Sequence, residues 1–250
     1  MRSLVGLIPL FAVEVLEEEV LDKLPGFRKR MQWFLDNAAT SPAPRHLQRD
    51  AAEIRARHLL LAVPSRERLL RVLAYVLDER EFLSPYGIRS LSKHHEHHPF
   101  VLRVAARSTA STTRPARATT RMFGGNSNWR GPIWFPLNFL LIEALERYHF
   151  YYGDELKVEC PTGSGNLMTL KQVAREIARR LGRIFLPGEH GLVPCHGRFA
   201  ETFRDAPGFQ DLLLFHEYFH GDTGAGLGAD HQTGWTSLVV RCIEKARGAR

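Results

Sequence analysis

Cysteine is scarce in this chain and poorly spaced for chemistry. Three occur in 250 residues, Cys160, Cys195 and Cys242, with no C-x-x-C pair and one necessarily left over. That pattern excludes a disulfide framework and supplies no zinc site, so no metal is expected. Long apolar runs are missing too, so no segment reads as a bilayer crossing and no membrane partner is expected. The opening stretch MRSLVGLIPLFAVEVLEEE pairs one arginine with a short apolar run. Glu14 interrupts that run, further acids follow, and a small-residue cleavage site is lacking. It reads as a buried helix entering a domain, in a cytoplasmic protein.

Acidic residues fall short of basic ones, 27 against 34, for a net charge of +7. Such a surplus invites a nucleic-acid reading. Its distribution argues otherwise: residues 104–121, VAARSTASTTRPARATTR, hold four arginines and no acid. No recognition motif or aromatic platform accompanies them, and a solvated, irregular insertion explains them better. No nucleic-acid partner is expected. A basic, nucleic-acid-associated helical protein stays as the alternative from another functional class.

Strand-like alternation is sparse, whereas helical periodicity is abundant. The pattern predicts helices from about Leu10 to Leu24, from Phe27 to Asp36, and from Ser65 to Glu79, the last with Leu69, Leu70, Val72, Leu73, Val76 and Leu77 on one face. Residues 37–57 lose periodicity and read as irregular. Pro132–Tyr152 is apolar around most of its circumference and is expected to be buried on nearly every side. Thr169 and Gln172 form a capping box for a helix to about Phe185, with Val173, Ile177, Leu181 and Ile184 facing inward and Arg175, Arg179, Arg180 and Arg183 facing solvent. A last helix covers about Thr236–Ala246. Enclosed helices alternating with amphipathic ones suit a double-layered helical barrel as well as a plain bundle. Four polar, glycine-rich loops, 84–92, 123–131, 158–165 and 220–235, suggest one functional rim.

The densest stretch is FGGNSNWRGPIWFPLN, residues 123–138. Trp129 and Trp134 offer flat faces, Arg130 a rigid fork of donors, and Asn126, Asn128 and Asn138 amides that both give and accept. Sugars suit such a surface, because their C–H faces stack on indole while their hydroxyls bind amides and guanidinium. In the segment 212–238, LLLFHEYFHGDTGAGLGADHQTGWTSL, Glu217 precedes a flexible glycine loop and has Tyr218, His220 and Trp235 nearby. A carboxylate there can act as a general base toward water, with Tyr218 orienting it and Trp235 as a stacking wall. An ordinary exposed glutamate at a helix end is the plainer reading. His216-Glu217-x-x-His220 formally matches a zinc-protease helix, but the glycine-rich continuation and the missing third ligand argue against it. His94, His95, His97 and His98 read as a polar helix end before Pro99. A glycosidase needs a second carboxyl group, and Asp154, Glu159 and Asp222 all lack aromatic and amide company.

Taken together, PYGIRSLS, GGNSNWRGPIWFPLNFLLIE, YGDELKVECPTGSG and LLLFHEYFHGDTGAGLGADHQTGWT resemble the C-terminal half of a glycoside hydrolase family 63 catalytic domain. The likeness is to the large bacterial members, related to mannosylglycerate hydrolases and processing glucosidases. It covers residues 1–36, 58–102 and 122–246. The resemblance implies an all-α fold, the later hairpins of an (α/α)6 barrel, over residues 1–250. It implies inverting hydrolysis of O-glycosidic bonds in a small sugar or oligosaccharide without a cofactor. Glu217 is then the general base, and Trp129, Arg130, Trp134, Tyr218 and Trp235 line the sugar subsite, with Asn138 beside them.

The family's general acid, an aspartate in an S-G-x-D-like loop, has no counterpart in this sequence. The chain is therefore expected to be a piece of the barrel, its acid supplied upstream of Met1. A truncated, catalytically silent product is the alternative. Half a barrel is also expected to self-associate through exposed helices. Where the family is acidic and tyrosine-bearing before GGNSNWRG, this chain reads ARSTASTTRPARATT. One GC-rich encoding of residues 106–119, read one base earlier, yields GEEYRVDYAAGESD. Residues near 105–121, and 37–57 with them, are thus expected to be translated out of frame.

Overall fold

A computed structural model describes residues 1–38, 52–55, 58–104, 107–111 and 131–248. The chain opens with a 3-10 turn, Leu4–Leu10, then strand β1 (Val13–Glu17) and helices α1 (Glu18–Asp22) and α2 (Pro25–Ala38). Strands β2 (Ala52–Arg55) and β3 (His58–Ala62) lead into α3 (Arg66–Val76). Two small hairpins follow, β4 (Leu83–Ser84) with β5 (Gly87–Ile88), and β6 (Phe100–Val104) with β7 (Arg107–Ser111). The long helix α4 (Phe135–Tyr152) precedes the pair β8 (Lys157–Glu159) and β9 (Leu167–Thr169), and then α5 (Leu170–Gly182). The remainder comprises α6 (Ala200–Asp205), the hairpin β10 (Tyr218–Phe219) and β11 (Gly226–Leu227), α7 (Thr233–Thr236) and α8 (Val239–Arg247).

The helices start where their caps require. Ser65 accepts from Arg68 N at the head of α3. Thr169 and Gln172 form the reciprocal capping box of α5, which satisfies two amides that would otherwise lack partners. Helix α5 packs against α4 on one side and α8 on the other. Its stripe of Val173, Ile177, Leu181 and Ile184 is fully buried. Leu73 and Val76 of α3, Leu141 and Leu145 of α4, and Cys242 of α8 complete one apolar core. Lys245 ties α8 to α4 through Glu143, at 3.1 Å, and Glu146.

The fold is helix-rich, as expected, with short strands besides. Several finer expectations fail. Instead of one helix over 10–24, β1 joins β3 and β2 in an antiparallel sheet of order β1-β3-β2, with Val15 opposite Leu60 and Leu60 opposite Glu53. The period-2 pattern of VEVLE was masked by the apolar run before it, and HLLLA is too short and continuous to show a period. Within 37–57, α2 extends to Ala38 and Ala52–Arg55 is a strand. Within 104–121, Arg107–Ser111 pairs with β6. The rest of those segments lies outside the described residues.

Helix α4 begins at Phe135, not Pro132, and leaves Leu140 and Phe150 about half exposed, so neighbours do not enclose it. Arg180, expected in solvent, is buried: it donates to Glu176, Glu79 and the Ser84 carbonyl. Its aliphatic stem covers the core while its head anchors the loop after β4. Among the described residues no helix is long and apolar enough to cross a membrane.

Candidate active site

Three segments far apart in sequence are stitched edge to edge. Ile133 exchanges two backbone hydrogen bonds with Phe219, at 2.8 and 3.0 Å. On its other side Ile133 bridges Arg89. Ser90 N donates to the Pro132 carbonyl, and Gly131 N to Ser90 Oγ. The segments 84–92, 131–134 and 217–222 thereby become one surface, which brings the expected loops 84–92 and 220–235 together; of the loop 123–131 only Gly131 lies within the described residues. The loop at 158–165 docks elsewhere: Thr162 binds the carbonyls of Leu77 and Ala74 at the end of α3.

Glu217 enters β10 at the edge of this surface. Its amide donates to the Ala229 carbonyl at 2.7 Å, and its carbonyl accepts from Trp235 Nε1 at 3.0 Å. Thr236 Oγ1 holds the adjacent His216 carbonyl at 2.7 Å. The backbone at His216 and Glu217 is therefore held by Thr236 and Trp235 at the end of α7. The carboxylate rests against β11: Oε2 lies 3.4 Å from Ala229 N, and a β-carbon placed on Gly228 would sit 2.6 Å from it. Gly228 has φ +76°, so glycine meets both the conformation and the close approach.

Beside Glu217 stands an aromatic wall. Trp134 stacks on Tyr218, and Trp235 lies 5.9 Å from Trp134 at 55°. Trp134 is the extended residue just before α4, which places its ring ahead of the helix. Below, Phe219 packs on Phe135 and Phe185, fixing the hairpin to the core. Four expected site residues, Trp134, Glu217, Tyr218 and Trp235, thus come together. Trp129 and Arg130 lie outside the described residues.

Asn138 is a correction. It is 1% exposed; Oδ1 accepts from Ile88 N at 2.7 Å, and Nδ2 donates to the carbonyls of Ile88 and Trp134. With its amide committed in this way, it positions the loop and the Trp134 turn and does not reach a ligand.

The histidine pair of His216-Glu217-x-x-His220 flanks a strand, not a helix. Four residues of extended chain span about 13 Å, too far for a shared zinc. Burial holds His216 below its usual range, with Asp230 opposing and His231 adding to it. Burial does the same to His220, whose Nδ1 accepts from the amides of Asp222 and Thr223. Of the other histidines, His95 is buried, with Nε2 receiving Arg2 N and Nδ1 facing the His98 carbonyl. Cys160, Cys195 and Cys242 are buried and unpaired, and burial pushes their thiols up to about 11, 12 and 12, so they are inert.

Sequence reasoning missed Arg89. Its side chain is 3% exposed and pairs with Asp222 at 2.6 Å. The only available signal was an arginine inside PYGIRSLS, and its partner lies 133 residues away.

Residues 12–236 match the family model described as a mannosylglycerate hydrolase MGH1-like glycoside hydrolase domain. An uncharacterized protein of Saccharomyces cerevisiae is 48% identical over 97% of this chain, which spans 22% of that protein. A probable mannosyl-oligosaccharide glucosidase of Schizosaccharomyces pombe is 28% identical over 71% of the chain. The mannosyl-oligosaccharide glucosidase of Saccharomyces cerevisiae is 24% identical over 70%. The chain spans 15% of the length of each glucosidase.

Proposed function

Since the chain belongs to the mannosylglycerate hydrolase MGH1-like glycoside hydrolase family, we propose that it carries the water-activating half of an inverting glycosidase site. Glu217 removes a proton from water as the water oxygen bonds to the anomeric carbon and the glycosidic C–O bond breaks on the opposite face. Trp235, backed by the buried Trp134–Tyr218 stack, is the wall against which the cleaved sugar rests; Trp129 and Arg130 are assigned to the same subsite by resemblance alone. A second carboxyl group protonates the leaving oxygen; by resemblance it is an aspartate in an S-G-x-D-like loop, a motif that these 250 residues do not contain. In the same reading α3, α4, α5 and α8 are later helices of an (α/α)6 barrel.

The observation that carries the reading is Glu217, whose backbone is held by Ala229 and the Trp235 indole and whose carboxylate accepts from Ala229 N at 3.4 Å, next to the Trp134–Tyr218–Trp235 cluster. A glycosyl fluoride tests it cleanly, because fluoride departs without a proton and needs only the base. Glu217→Gln is expected to slow its hydrolysis by about 10²–10⁴-fold. A parental rate in that variant overturns the assignment. A parent chain that binds sugar but hydrolyses no fluoride is the catalytically silent product.

A further inference from the structure

Residues 2–4 lie along the end of the 84–92 loop. Ser3 bridges Leu91 in antiparallel register, Leu4 N donates to the Ser90 carbonyl at 2.9 Å, and Ser92 N donates to the Arg2 carbonyl at 3.1 Å. Segment 2–4 is thus a short edge strand on 90–92. Ser90 in turn holds Pro132 and Gly131, so this strand backs the surface on which Ile133 joins Phe219.

An imidazole fastens one end of the strand. His95 is 7% exposed; its Nε2 accepts from Arg2 N at 2.9 Å, and its Nδ1 lies 2.8 Å from the His98 carbonyl. A backbone N–H only donates and a carbonyl only accepts. Both contacts are therefore hydrogen bonds in one state of the ring alone, neutral with its proton on Nδ1. A proton on Nε2 sets N–H against N–H, and the bond to Arg2 is lost.

The surroundings give a protonated ring little help. The Arg2 guanidinium lies over the Tyr75 ring and pairs with Glu81, whose second carboxylate oxygen accepts from Ser92 Oγ. Lys93, His94, Glu96, His97 and His98 share the turn of His95, and the Phe100 ring packs on it edge-on at 6.5 Å. Arg2, Lys93 and any charged neighbouring histidine oppose a positive His95. Of the two acids, Glu81 has both oxygens engaged and Glu96 is exposed to solvent.

We propose that neutral His95 latches segment 2–4 against the 84–92 loop, and that a proton on its Nε2 releases the segment and loosens the site surface behind it. The latch does not depend on the role of Glu217. Because the closed form requires the neutral ring, closure is favoured at higher pH and lost on acidification.

NMR on the full chain tests the latch. At about pH 7.5 the His95 nitrogen shifts are expected to report a neutral ring protonated at Nδ1. At about pH 5.5 the exchange protection of the Leu4 and Ser92 amides, corrected for intrinsic rate, is expected to fall about tenfold, with Gly131 following. His95→Gln accepts from Arg2 N and donates to the His98 carbonyl without titrating, so its protection is expected to be the same at both pH values. His95→Phe supplies no acceptor and is expected to be poorly protected at both. A ring protonated at Nε2 at the higher pH overturns the proposal, as does parental protection that ignores pH. An equal fall in His95→Gln moves the sensitivity to Glu81, His94 or His98 and refutes the assignment to His95. Opening at Leu4 with Gly131 still protected refutes the link to the site.

Discussion

Arg89 and Asp222 meet at 2.6 Å across 133 residues, with the arginine side chain 3% exposed and the aspartate 40% exposed. The pair joins the loop after β5 to the turn after β10, on the surface that also presents Glu217. Burial raises the Asp222 carboxyl and the Arg89 hydrogen bond and charge lower it, for a net displacement below the usual range.

Asp222→Asn therefore leaves a buried guanidinium short of its counter-charge. Because Asp222 retains solvent contact, the expected loss is about 1–3 kcal/mol, below the figure for a fully buried pair. Urea unfolding measures it, and an unchanged midpoint would show that the tie contributes nothing.

Gly228→Ala forces a β-carbon toward Glu217 Oε2 and Tyr218 Cε1, which would lie 2.6 and 2.7 Å away, at a φ of +76°. Strain of about 1–3 kcal/mol is expected, together with a fall in kcat as the carboxylate is displaced. Retained activity with normal stability would place the catalytic carboxylate elsewhere.

Trp235 has two separable roles, an indole N–H that holds the Glu217 carbonyl and a ring in the wall. Trp235→Phe keeps a ring and removes the bond, so kcat is expected to fall while KM for a glycosyl fluoride changes little. Trp235→Ala is expected to raise KM as well. Identical kinetics for the two variants would merge the roles.

Four buried or half-buried histidines, His149, His196, His216 and His220, all lie below their ordinary value of 6.5, with burial as the leading cause in each. Below about pH 6.5 the unfolded chain takes up protons that the folded chain resists, so stability rises with pH there and is lost on acidification. The lowered Asp222 acts in the same direction further down, below its ordinary 3.8. Thermal melts between about pH 8 and 5 should show Tm falling toward acid; a flat profile contradicts this.

Trp33 and Phe34 on α2 are 66% and 64% exposed, and Leu140 and Phe150 on α4 are half exposed. Apolar surface of this kind drives association. Sedimentation is expected to show oligomers of the parent chain and a shift toward monomer in Trp33→Ser with Phe34→Ser. A monomeric parent would refute the expectation of self-association.

Much of the helical frame was legible because its determinants are local. The Thr169–Gln172 capping box and the inward stripe Val173, Ile177, Leu181 act within one or two turns. The aromatic and carboxylate members of the site were legible as residue types in unusual company. Strands β1 and β3 were not, because each is five residues long and an apolar run hides its alternation.

Composition and periodicity by themselves determined where α3, α4 and α5 lie and the buried stripe Val173, Ile177 and Leu181 of α5, and they singled out residues whose chemistry suits a sugar. Tertiary structure alone decided that Ile133 links Arg89 to Phe219, that Asn138 spends its amide on Ile88 and Trp134, and that Arg180 lies buried beneath the loop after β4. Helix caps and stripes depend on neighbours three or four positions away, which a string records directly. Pairing across 50 to 133 residues depends on which packed arrangement leaves the fewest buried polar groups without partners, and only the folded chain realises that arrangement.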